Sequence, residues 1–125
     1  MNLRLITVLT CAAGLLSAAA PDAAFEEKIR PILAANCQAC HSSKTKTSGF
    51  AVTDAESVIA GGNKHGRAVI QGDAANSPLI KILKGHLSPR MPFGAALPDA
   101  DIAQIENWIT HLKAQPVAAA PGDMR

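Results

Sequence analysis

Three observations predict a small all-α domain. Apolar residues recur at helical spacing in two well-separated stretches, Phe25 to Leu33 and Ile102 to Leu112. Polar and apolar residues nowhere alternate long enough to suggest a sheet. The segments between are rich in Gly, Pro, Ser and Asn, which form turns and end short helices. At 125 residues there is room for one domain. Alanine supplies much of the 48% hydrophobic content and aromatics only 3%, so the polypeptide has a thin core. A large apolar group at its centre would fill that core.

The first 20 residues read as a secretory signal that is removed on export. Arg4 gives a short positive start, Leu5 to Leu16 is an uncharged apolar run, and Ser17-Ala18-Ala19-Ala20 offers small residues for cleavage. The apolar run falls short of the roughly 20 residues that span a membrane. Thr10 before Cys11 is a poor match to a lipid-attachment site, which disfavours a lipid anchor. The chain is therefore expected in the periplasm or otherwise outside the cytoplasm, with no integral membrane segment after residue 20. The folded domain is expected over residues 21–113, followed by an Ala/Pro tail (114–125) with nothing to pack.

The elements follow in order. Pro21-Asp22 opens a helix whose apolar face is Phe25, Ile29, Ile32 and Leu33, and Pro31 predicts a kink near Arg30. This helix should end just before or within the Cys37 loop. Ser42 to Gly49 reads as exposed loop. Asp54 can cap a short helix through Ile59, stopped at Gly61-Gly62. Residues 63–76 show turn formers and no helical period. Ser77-Pro78 reads as a cap followed by proline at the first helical position, and Gly85 ends that helix. His86 to Leu97 is a Pro- and Gly-rich loop. Asp99 to Lys113 is the clearest helix, with Ile102, Ile105, Ile109 and Leu112 on one face and Trp108 at its edge. Acidic residues sit at its positive end and His111 and Lys113 at its negative end. Trp108 is expected to pack on the Phe25/Ile29 face.

The chemistry concentrates at Cys37-Gln38-Ala39-Cys40-His41, the C-x-x-C-H pattern of c-type haem attachment. Two thiols one turn apart can each form a thioether to a haem vinyl group, and the adjacent His41 reaches the iron from the same side. With the signal removed, these are the two cysteines left. A thioredoxin-like pair would need a preceding strand, and a zinc site would need a second ligand pair; neither is present. A plain Cys37–Cys40 disulfide is the remaining rival. For the opposite face of the iron the candidates are Met91, Met124, His65, His86 and His111. Met91 leads because Arg90-Met91-Pro92 lies in a proline-stiffened loop, with His86 ahead of His65 as the alternative. Arg67 and Arg90 are candidates to pair with haem propionates, and equally read as ordinary surface arginines.

Charge narrows the partners. Of 12 basic side chains Arg4 alone precedes residue 21, so the remainder carries 11 against 10 acidic ones. No basic run suggests nucleic acid, and Lys44, Lys46, Lys64, Lys81 and Lys84 look scattered, either solvated or a weak face for an acidic redox partner.

Taken in order, Ile29 to Leu33, Cys37 to His41, Gly49-Phe50, Gly61-Gly62, Ile70 to Asp73, Ser77 to Ile80, Arg90-Met91-Pro92, Leu97 to Asp99, and Trp108-Ile109 form a set. From Phe25 to Trp108 this set resembles the planctomycete-type cytochrome c domain, within the broad class I cytochrome c-like fold. The resemblance implies one covalently bound haem c, with His41 and Met91 as axial ligands and electron transfer outside the cytoplasm. It implies terminal helices that cross beside the haem, the Cys37 loop on one face and the Met91 loop on the other. The expected role is a one-electron carrier and not an enzyme, acting as a free shuttle or with redox partner proteins such as a separately encoded larger enzyme. A haem-based peroxidase or gas sensor with a labile sixth ligand is the alternative.

Overall fold

The computed structural model describes residues 21–113 and Gly14, so most of the signal expected over 1–20 and the tail expected over 114–125 lie outside the described residues. Five α-helices are described: α1 (Pro21–Ala24), α2 (Arg30–Asn36), α3 (Ala55–Ala60), α4 (Pro78–Leu83) and α5 (Asp99–His111). A π-helical turn (Phe25–Ile29) joins α1 to α2, and no strand occurs among the described residues. The fold is all-α.

The kink expected at Arg30 takes the form of this π turn. The Arg30 N–H donates to the Phe25 carbonyl, five residues back. Pro31 has no N–H to donate, and its ring would meet the carbonyl four residues back in a regular helix. A wider turn ahead of it relieves both problems without breaking the rod. Phe25, Ile29 and Leu33 stay on one face and are all buried. On the outer side Glu26 pairs with Arg30, whose guanidinium also lies 5.9 Å from the centre of the Phe25 ring.

The buried face of this rod packs on α5, which contributes Ile102, Ile105, Trp108 and Ile109. The Phe25 and Trp108 rings sit 5.3 Å apart with a 50° tilt. Trp108 is more central than the edge position its sequence register suggests, because the indole folds under Phe25 and leaves it 5% exposed. On its other side α5 meets α4, whose Leu79, Ile80 and Leu83 are buried, and Lys84 pairs with Glu106 across that junction.

The Asp54 cap is present as expected. Its carboxylate accepts the Ser57 backbone N–H at 2.8 Å and the Ser57 hydroxyl at 2.9 Å. Gly61 ends α3 at φ +76°, and a Cβ there would overlap the Gly66 carbonyl oxygen. Ser77 is different. It precedes α4, but its fully buried hydroxyl accepts the Ile70 N–H and donates to the Asp73 carbonyl, each at 2.8 Å. The Leu79 N–H is satisfied by the Ala68 carbonyl at 2.9 Å, which frees Ser77 to tie the 68–77 loop together. That loop is pinned to α5 where the Gly72 N–H meets the Ile109 carbonyl at 2.9 Å.

Replacing Asp54 by Ala should destabilise the domain by about 1 kcal/mol at neutral pH. The Ser57 backbone N–H holds the Asp54 carboxyl below the usual carboxylate range, outweighing the opposing effect of burial. Its folded pKa is therefore below the unfolded one. The stabilisation is complete above about pH 4 and is lost as pH falls through the lower folded value. Urea melts of both proteins should converge in acid; a difference that persists there would contradict the ionised cap. Gly61→Ala should cost about 3 kcal/mol or more in the same assay, because both the backbone angle and the Gly66 contact forbid a side chain.

Candidate functional site

The site grows from the end of α2. Helical geometry stops at Cys37, whose φ of −127° leaves the α region. The Cys37 and Gln38 N–H groups both turn onto the Leu33 carbonyl, at 2.8 and 3.2 Å. The Cys40 and His41 N–H groups both turn onto the Cys37 carbonyl, at 3.2 and 2.9 Å. Residues 37–41 thus make one further turn, which brings Cys37 and His41 to the same side. Cys37 and Cys40 are free thiols, the first half-buried and the second exposed. Burial pushes the Cys37 thiol up to about 11, so it stays protonated at neutral pH.

His41 is held at both its backbone and its ring. The Val52 N–H donates to the His41 carbonyl at 2.8 Å, and the Thr47 N–H to the Cys40 carbonyl at 3.1 Å. The imidazole Nδ1 lies 3.2 Å from the Phe50 carbonyl oxygen. A carbonyl only accepts, so the proton is on Nδ1 and the Nε2 lone pair is free for a metal. The Phe50 ring rests 5.1 Å from the imidazole with a 58° tilt. The chain turns back for these contacts through Ser48 and Gly49, both at positive φ.

Cys37, His41 and Met91 share the wall of one cavity of about 320 Å³. The rest of that wall is largely apolar and includes Leu33, Val52, Leu79 and Leu83. An imidazole with a free Nε2, a thioether, a thiol and apolar walls are a donor set that suits haem. Cys40, Arg67, Arg90 and His86 are exposed and outside the lining, and Arg90 runs past Gly85. His111 is spent on its own helix, donating from Nδ1 to the Asn107 carbonyl at 2.8 Å. Of the two alternative histidines, His65 lines the cavity and His86 does not. The Gly61–Gly66 turn folds back on Ser48 and carries His65 inward, a contact between distant segments that no local pattern announces. Phe50, Lys64 and Phe93 also border the cavity without having been singled out as site residues.

Residues 37–92 match the family model described as Planctomycete cytochrome C. The chain carries a planctomycete-type cytochrome c domain. The match is narrower than the 25–108 span of the resemblance, yet it runs from the first thiol to the residue after Met91. The loops that border the cavity contribute to it, while α5 and the N-terminal rod, which adds Leu33 to the cavity wall, lie outside the matched residues. No curated protein and no solved structure matches significantly. A cytochrome c domain binds haem c covalently and carries electrons, and the donor set around this cavity suits that cofactor.

In the haem-free chain the two thiols of this cytochrome c domain should differ in reactivity. Iodoacetamide near pH 8 should label exposed Cys40 well before half-buried Cys37, whose thiolate burial suppresses. Peptide mapping by mass spectrometry reads the order, and equal labelling rates would contradict the buried setting of Cys37.

Proposed function

We propose that the chain is a monohaem c-type cytochrome that carries one electron at a time outside the cytoplasm. The carrying observation is that Cys37, His41 and Met91 face one apolar cavity while the His41 Nδ1 is already engaged. Cys37 and Cys40 would hold the haem by thioethers, and His41 Nε2 and the Met91 sulfur would bind its iron. When bound, haem supplies an iron that exchanges single electrons between its ferrous and ferric states.

The surrounding residues set the terms of that exchange. The Phe50 carbonyl fixes the imidazole's orientation and increases its basicity as a ligand. A Met91 thioether bound to the iron would raise its reduction potential. The apolar walls exclude water and disfavour the more highly charged oxidised centre, which acts in the same direction.

Charge around the cavity supports a docking role. The three loops that border it, residues 41–50, 62–67 and 86–97, carry Lys44, Lys46, Lys64, Arg67 and Arg90 and no Asp or Glu. Arg67 and Arg90 are proposed to meet the haem propionates. The exposed Lys44, Lys46 and Lys64 are proposed to face an acidic redox partner, such as a separately encoded larger enzyme. The apolar run at residues 5–16 supports export. Among the described residues no helix is long and apolar enough to cross a membrane.

Visible spectra of the protein, exported from cells that mature c-type cytochromes, test this reading. A sharp reduced α-band and a far-red sulfur-to-iron band when oxidised are expected. Met91→Ala should abolish the far-red band and leave a high-spin iron that binds added ligands. An unchanged low-spin spectrum would remove Met91 from the iron, and a wild type already high-spin would favour a peroxidase or gas sensor. Oxidation by ferricyanide should slow as salt screens the loop lysines; a rate indifferent to salt would contradict a positive docking face.

A further inference from the structure

The segment that carries Met91 has few ties to the rest of the domain. Among the described residues, one hydrogen bond joins residues 88–97 to any other part of the chain: His65 Nε2 to the Ser88 carbonyl, at 3.2 Å. The other anchors are packing contacts: Leu97 is buried at the far end of the segment, Pro89 and Met91 line the cavity, and Arg90 runs past Gly85. A carbonyl accepts only, so Nε2–H is the donor.

His65 itself stands on firm ground. It lies in the turn closed by the pairing of Gly62 with Gly66. That turn is tied to the His41 side of the cavity, where the Asn63 N–H donates to the Ser48 carbonyl at 2.7 Å. Gly62 packs so closely on Ser48 and Phe50 that a Cβ there would press on both. Phe50 is the residue whose carbonyl orients His41. One turn therefore touches the support of His41 through Ser48 and Phe50, and the support of Met91 through Ser88.

We infer that His65 is a positioning residue for Met91: by holding Ser88 it keeps the Met91 thioether across the cavity from His41. The inference rests on the proposed ligation by Met91. A thioether is a weak, neutral ligand, and its apparent affinity scales with the fraction of time its loop is in place. Losing the one hydrogen bond that ties the segment to the rest of the described residues lowers that fraction and opens the iron to competing ligands. The side chain acts through Met91 and does not itself bind the iron.

The test uses the exported, haem-loaded protein with His65→Leu and His65→Gln, the second keeping a terminal N–H donor. Ferric samples are titrated with imidazole while the far-red sulfur-to-iron band is followed, with thermal melts alongside to establish that each variant is folded. The far-red band is expected in all three proteins. The Leu variant should bind imidazole about threefold to tenfold more tightly, the range one lost hydrogen bond allows, and the Gln variant should stay within about twofold of wild type. An unchanged affinity in the Leu variant overturns the inference alone. So does a Gln variant that behaves like Leu, since the N–H would then not be the cause. Loss of the low-spin state in both variants would make His65 a ligand in its own right and overturn the inference. A wild type without the far-red band removes the Met91 assignment, and the inference falls with it.

Discussion

The contact from the His41 Nδ1 to the Phe50 carbonyl is where the site and the fold meet. It fixes the imidazole tautomer, turns Nε2 toward the cavity and requires residues 47–52 to fold back over the end of α2. That return is closed by backbone bonds from Thr47 to Cys40 and from Val52 to His41. With the loop in this position, Val52 enters the core and Asp54 arrives where it caps α3. Gly61 can then bring the chain back against Ser48. The histidine's orientation and the path of the next 25 or so residues are one arrangement.

The helices support this arrangement from outside. The N-terminal rod and α5 close on each other through Phe25, Ile29, Ile105, Trp108 and Ile109, all buried. The π turn lets that rod pass Pro31 and still deliver Leu33 and Cys37 to the cavity. α4 supplies another part of the wall through Leu79 and Leu83. With few aromatic side chains, the domain leaves an apolar space between its helices and loops. A group that fills this space in the folded state adds its binding free energy to folding, so loading and stability are coupled.

Much of this was legible in the residues. Helical spacing exposed the faces of the N-terminal rod and α5, Asp54 and Gly61 announced the limits of α3, and Pro31 marked the distortion before it. The attachment motif located the site, because its spacing is itself the chemistry. What escaped was long-range or backbone-borne. The acceptor for His41 is a carbonyl, which every residue possesses, so nothing in the identity of Phe50 revealed it. His65 looked inferior to His86 because only the fold brings the 62–66 turn to the cavity. Ser77 had the right residue type and position for a cap, but the Ala68 carbonyl reached the helix N–H first. The lysines that look scattered in sequence divide in space: Lys44, Lys46 and Lys64 stand on the loops around the cavity, while Lys84 is paired with Glu106.

The central claim is that both thiols of the Cys37–His41 turn are consumed by a single haem. Intact mass spectrometry of the exported protein, followed by mapping of the peptide that contains Cys37 and Cys40, tests it most directly. The account predicts the polypeptide mass plus one haem, with both cysteines of that peptide bonded to it and neither open to alkylation. A haem-free mass two hydrogens below the reduced polypeptide, with Cys37 and Cys40 joined to each other, would contradict it. That result would leave a disulfide-closed turn in place of a cytochrome.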